Sequence, residues 1–167
     1  SLYRNLGNGF FADITFQSGL GVPSLQFLAW GTFFFDYDND GDRDIFVANG
    51  HLDDNIHLFD AVTYAQQNQV FRNNGQGRFA DVSNQLGPGL RLKQVSRGAT
   101  MGDYDNDGDL DVAVTNNNQP AVLLRNDGGN AKHWLSLQLN GGGVGAEVKV
   151  TAGDLVQIDV VRTGSSY

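Results

Sequence analysis

Sliding the chain along itself by about 67 residues brings two long stretches into register, and this self-similarity constrains the fold more than any local signal. Leu2–Thr15 (LYRNLGNGFFADIT) lies over Val70–Ser83 (VFRNNGQGRFADVS). Asp36–Asp44 (DYDNDGDRD) lies over Asp103–Asp111 (DYDNDGDLD), with one difference in nine positions. A third, partial copy, LLRNDGGN (Leu123–Asn130), keeps only the Arg-Asn-x-Gly core, so the repeat stops near Asn130.

Within one unit, Leu28–Asp36, Asp44–Asn49, Gln69–Asn73 and Arg78–Val82 read as strands. Each is aromatic and β-branched, partly alternating, and bordered by Gly, Asn or Asp. Four short strands at a constant period describe a β-propeller blade, whereas a solenoid rung of this length would be unusually long. The predicted fold is all-β: a partial β-propeller of about two to three four-stranded blades in residues 1–130, then a small antiparallel β region in residues 131–167. The chain supplies the end of one blade, the whole of a second and most of a third. Closed propellers need about four to eight blades, so neighbouring blades of a longer chain are expected partners. An opening of Ser-Leu-Tyr-Arg, without Met, agrees with that expectation.

The repeated Asp segment carries the chemistry. In D-x-D-x-D-G-x-x-D, alternate side chains converge on one point as the loop curls, and Gly at the sixth position permits the turn. The first loop offers the side chains of Asp36, Asp38, Asp40 and Asp44 and the carbonyl of Asp42. The second offers Asp103, Asp105, Asp107 and Asp111 and the carbonyl of Asp109. Oxygen-only donors in a flexible shell favour Ca²⁺ over Mg²⁺ or Zn²⁺, so two calcium ions are expected. An EF-hand would place a bidentate acid at the twelfth position, which here is Val47 or Val114 inside an apolar run. The loops therefore read as β-hairpin turns. An ordinary Asp/Asn/Gly turn is the bland alternative, but four carboxylates crowded on one point repel one another and such a turn gains nothing from them. The metal is expected to staple the hairpin and be architectural.

Charge points the same way. Of 19 acidic residues ten lie in these two loops, and the net charge of -8 disfavours nucleic acid or anionic lipid as a partner. No apolar run is long enough to span a membrane, the N-terminus lacks the blocks of a signal peptide, and the absence of Cys excludes disulfides and thiolate metal sites.

DYDNDGDRDIFVANG and DYDNDGDLDVAVTNN resemble the FG-GAP, or VCBS-type, repeats of integrin α-subunit propellers and many secreted bacterial proteins. That resemblance implies calcium in the hairpin loop of a propeller blade. The tail from Asn130 to Tyr167 resembles the start of the ASPIC/UnbV domain that follows such repeats in proteins of the cartilage acidic protein type. It differs in a shortened Leu139–Ala146 loop and in stopping at Gly-Ser-Ser-Tyr. By its own alternation the tail should form strands at Trp134–Leu139, Glu147–Thr151 and Val156–Val161, packed on the last blade and supplying its fourth strand.

Other candidates carry less. His51 and His57 flank Asp53 and Asp54 in the long Gly50–Gln69 stretch, without a third placed ligand or a nucleophile. His133 reads as structural, and Gly141–Gly143 as a flexible hairpin rather than a phosphate cradle. Arg4, Arg72 and Arg125 recur at the blade period, which suggests architecture, such as bridging blades to a carboxylate or carbonyl. The leading reading is a non-catalytic, calcium-stabilised scaffold for adhesion or binding, secreted, cell-surface or periplasmic, with an unidentified protein or glycan ligand. Open-loop calcium sites saturate at roughly 10⁻⁴–10⁻³ M, the range of extracellular modules. The alternatives are part of a polysaccharide-acting enzyme and a purely structural module.

Overall fold

The computed structural model describes residues 1–140 and 143–162. A hairpin of β1 (Tyr3–Gly7) and β2 (Phe10–Asp13) comes first, followed by a single short helix, Gly21–Ser24. Next are β3 (Ala29–Phe35) and β4 (Asp44–Asn49), a short β5 (Gln66–Gln67), β6 (Gln69–Asn73) and β7 (Phe79–Asp81). Strands β3, β4, β6 and β7 pair in that order as a four-stranded antiparallel meander, a complete blade. Then β8 (Lys93–Gln94) pairs with β5, and β9 (Ser96–Gly102), β10 (Asp111–Asn116) and β11 (Gln119–Leu124) form a three-stranded meander. Finally β12 (Glu147–Ala152) and β13 (Leu155–Val160) make a hairpin. The β1–β2 hairpin corresponds in the repeat to β6–β7, so the chain holds the end of one blade, one whole blade and three strands of another.

The middle strand of the complete blade shows why the blades stack. Every residue of β4 is buried. Ile45 and Val47 point to a cluster with Leu20 and Phe71, while Phe46 and Ala48 point to a larger one with Phe33, Phe35, Val70, Ala99, Val112 and Val114. Successive strand residues face opposite sides of a sheet, so the continuous run DIFVAN reflects a sheet covered on both faces. Phe33 stacks on Phe46 at 5.3 Å and meets Phe35 edge-on at 5.4 Å, favourable arrangements for aromatic pairs.

The last blade is built differently. Its β10 buries Val112 and Val114 against its neighbour and leaves Ala113 and Thr115 exposed. At the positions where the complete blade carries Phe33, Phe35, Phe46 and Ala48, this blade carries Thr100, Gly102, Ala113 and Thr115, all exposed. The aromatic wedge that fills one side of the complete blade is thus absent from the equivalent side of the last.

Blades approach closely at Gly31. A Cβ there would lie 2.5 Å from Ala99 N and 2.9 Å from Arg97 O, both backbone atoms of β9. Gly31→Ala should therefore force the two blades apart and cost roughly 2–3 kcal/mol, as overpacking does; urea denaturation of the variant checks this.

Between the same blades, Arg97 lies 4.5 Å over the Trp30 ring and donates to the carbonyls of Gly50 and His51, and Trp30 Nε1 donates to the Gly50 carbonyl. The sequence reading assigned inter-blade bridging to Arg4, Arg72 and Arg125. Of these, Arg125 pairs within its own repeat, with Asp127 at 2.7 Å and Asp105 at 3.9 Å. An arginine that does bridge blades is Arg97, whose repeat counterpart is Trp30, so the pair leaves no recurring signature.

The tail also departs from expectation. Trp134–Leu139 forms no strand: its backbone pairs with no sheet, and the Trp134 indole lies directly on Gly108. Leu135, Leu137 and Leu139 line a cleft of about 510 Å³ with Val148, Ile158 and Met101. The predicted strands over Glu147–Thr151 and Val156–Val161 are present, one residue longer at the end of the first and shifted by one in the second. They pair only with each other, so the last blade has no fourth strand among the described residues. The hairpin rests instead on the first Asp loop, through Arg43 to Asp159 at 3.1 Å and Leu155 against Gly41. Of the glycine run Gly141–Gly143, the first two residues lie outside the described residues.

Candidate metal centre

Each Asp loop joins two neighbouring strands, as the hairpin reading requires. Phe35 pairs with Asp44 at the end of β3–β4, and Gly102 with Asp111 at the end of β9–β10, so the two loops leave their sheets in the same register. The turn needs left-handed backbone twice: Asn39 has φ 50° and Gly41 φ 94°, and their counterparts Asn106 and Gly108 have 61° and 96°. Asn and Gly are the residues that adopt this conformation at least cost.

The polar wiring is duplicated as well. Asp36 accepts from the N–H groups of Asp40 (3.0 Å) and Gly41 (2.8 Å), and Asp103 from those of Asp107 and Gly108 (3.1 Å each). Asp40 accepts from Asp42 N–H, as Asp107 does from Asp109 N–H. The last loop aspartate is buried in both copies. Asp44 accepts from Tyr37 N–H at 3.2 Å and from Asn73 N–H at 2.8 Å, and Asp111 from Tyr104 N–H and Asn126 N–H at 2.8 Å each. The recurring Arg-Asn-x-Gly segment supplies these anchors from its Asn backbone, and its side chains fix the turn: Oδ1 of Asn5, Asn73 and Asn126 accepts from the N–H of Gly7, Gly75 and Gly128.

Carboxylate oxygens of Asp36, Asp38 and Asp40 lie within 4.8 Å of one another in the first loop, and those of Asp103, Asp105 and Asp111 in the second. These are the only such groups of three among the described residues. Six of the expected side-chain donors are thus brought together. Asp44 stands outside the first group and Asp107 outside the second; Asp107 is engaged by the Asn130 side-chain amide at 2.7 Å. Asp42 and Asp109, expected to contribute carbonyls, differ from each other. Asp42 is half-buried against Gly75, whereas Asp109 is fully buried and accepts from Asn130 N–H at 3.2 Å.

Burial without a counter-cation disfavours the charged forms. It raises the Asp36, Asp105 and Asp109 carboxyls above the usual carboxylate range and pushes Asp44 up to about 7, with neighbouring loop carboxylates adding to each rise. Two carboxylate oxygens, Asp38 Oδ1 and Asp109 Oδ1, are sealed from solvent without a hydrogen bond, an expensive condition for a polar group. The donors are all oxygens, converge in threes, and include buried acceptors that lack a donor. This set fits a hard divalent cation.

The two loops also touch. Asn39 donates to the carbonyls of Gly108 and Gly129, and Asn126 donates to the Tyr37 carbonyl. The weaker candidates do not assemble: His51 Nδ1 accepts from Asp53 N–H, and neither His51, His57, Asp53 nor Asp54 joins a group of three potential ligands. The functional residues missed in the sequence are Asn130, Lys132 and Trp134, which reach the loops from outside the repeat.

No helix is long and apolar enough to cross a membrane among the described residues. No curated protein matches the chain. Residues 36–114 match the model of the FG-GAP-like repeat, a span that begins on the first ligand candidate, Asp36, and contains both Asp loops. That match supports a repeat segment of β-propeller type over residues 36–114.

Proposed function

We propose that the chain is a calcium-stabilised β-propeller segment that serves as a non-catalytic binding or adhesion scaffold outside the cytoplasm. The observation that carries the reading is the recurrence of the same loop hydrogen bonds in two Asp loops, with three carboxylates gathered in each, the third being Asp40 in the first loop and Asp111 in the second. Asp36, Asp38 and Asp40, with Asp44 at the strand start, would hold one Ca²⁺; Asp103, Asp105 and Asp111, with Asp107, would hold the other. Bound calcium supplies positive charge and rigidity rather than a reaction. The chain's residues hold each hairpin loop in the shape that presents these oxygens. Residues beyond 130 form a separate β region in this reading, in line with their ASPIC/UnbV-like sequence.

Dialysis against radioactive calcium in a hundredfold excess of Mg²⁺ tests the ion. Retention of calcium is expected, because Mg²⁺ demands a tighter octahedral shell and gives up water reluctantly; complete displacement by Mg²⁺ would overturn the assignment. The rival enzyme reading would need a pair of carboxylates about 5–10 Å apart in a groove. A glycan-cleavage screen with wild type and Asp53→Ala decides it: calcium-dependent turnover lost in the variant would replace the scaffold with an enzyme.

A further inference from the structure

The segment leaving the last blade crosses both Asp loops. Asn130 donates through its backbone to Asp109 and through its side chain to Asp107 in the second loop. Two residues on, Lys132 Nζ stands 3.6 Å from Asp38 Oδ1 in the first loop, the sealed oxygen that has no hydrogen bond. Two residues further, the Trp134 indole covers Gly108 of the second loop. Beyond it, β13 reaches the first loop through Asp159 and Leu155. Alternate residues 130, 132 and 134 thus visit second, first and second loop in turn.

We propose that Lys132 is an internal counter-ion of the first loop which calcium displaces, so that loop occupancy controls how residues 130–134 lie across the two sites. This inference rests on the calcium reading above and deepens it to the regulation of the same sites. An ammonium and a divalent ion cannot share the Asp38 carboxylate without repulsion, so calcium entering at Asp36, Asp38 and Asp40 drives Lys132 off. By reciprocity, the force that holds Lys132 in place weakens calcium binding by the same factor. Arg43, Arg72, Arg125 and Lys132 are cations near the loops: Arg43 pairs with Asp159, Arg72 with the Tyr37 phenol, and Arg125 with Asp127 and, at 3.9 Å, with Asp105 of the second loop. Lys132 alone among them is joined to a first-loop carboxylate.

The test follows two signals in one calcium titration of the 167-residue chain. Heat reports binding; the emission of Trp134, obtained by subtracting the Trp134→Phe spectrum from wild type, reports the crossing segment. Trp134 and Trp30 are the two tryptophans, and Trp30 lies away from the loops, between blades. Trp134 emission is expected to change in step with calcium uptake. Lys132→Gln should tighten one site about two- to fivefold, the range of a partly exposed ion pair, and leave the other unchanged. Heat of binding with flat Trp134 emission, or with affinities unaltered by Lys132→Gln, would overturn the displacement and leave the calcium reading standing. Absence of any heat would overturn both.

Discussion

Saturating the calcium-free chain with Ca²⁺ is expected to raise its melting temperature by roughly 10–20 °C. At a hundred times the dissociation constant one site contributes about 2.7 kcal/mol, and two contribute about 5. For a chain of this size each kcal/mol moves the midpoint by about 2–4 °C. The effect should vanish in Asp38→Asn/Asp105→Asn. These two carboxylates occupy the third loop position and accept no loop N–H, in contrast to Asp36 and Asp103. The variant therefore removes charge from both cages while leaving their hydrogen bonds in place. Its calcium-free stability should stay within about 1 kcal/mol of wild type, because the repulsion removed is offset by loss of the partly exposed Asp38–Lys132 and Asp105–Arg125 pairs. A calcium-dependent rise that survives in the variant would place the ion elsewhere.

The second large effect is a pH dependence that calcium inverts. Without metal, folded Asp44 keeps its proton until about pH 7 because burial disfavours the carboxylate, whereas in the unfolded chain it ionises near 4. Between those values the folded state binds more protons, so stability falls as pH rises. Asp36, Asp105 and Asp109 are raised as well and contribute with the same sign. The calcium-free protein should be more stable at pH 5 than at pH 8, with Asp44 alone accounting for roughly 2–3 kcal/mol of that difference. Calcium needs the ionised form, so at millimolar Ca²⁺ the order should reverse. Urea denaturation at both pH values, with and without the ion, measures it, and Asp44→Asn should flatten the calcium-free trend.

Much of this architecture was legible in the residues. Asp44–Asn49 and Gln69–Asn73 have in the structure the same bounds that their composition indicated. Gly41 and Gly108 occupy the left-handed turn for which the sixth loop position was read. What repeats could be read, because two copies test each other. What does not repeat was missed. Arg97 and Trp30 occupy one repeat position with different chemistry, and only folding stacks them. The substitution of Thr100, Gly102, Ala113 and Thr115 for Phe33, Phe35, Phe46 and Ala48 is plain in the alignment, but its meaning depends on knowing which side of each strand meets a neighbour.

The alternation of Trp134–Leu139 signals one buried side and was read as a strand. Alternation reports which side chains are covered and says nothing of whether a neighbouring backbone is there to pair. In the structure Leu135, Leu137 and Leu139 line one cleft without a ladder, and all three remain exposed, so the expected burial is not met either. Similarly, spacing alone put four Asp on each ion. The structure gathers three of them in each loop; Asp44 and Asp111 also accept from backbone N–H groups, and Asp107 is held by Asn130.

The central claim, that two repeated loops each take one calcium ion, is met most directly by calorimetric titration of the chelator-treated chain, alongside Asp38→Asn/Asp105→Asn. The account predicts two sites per chain in wild type and none in the variant. No binding at millimolar calcium, or binding unchanged in the variant, would contradict it.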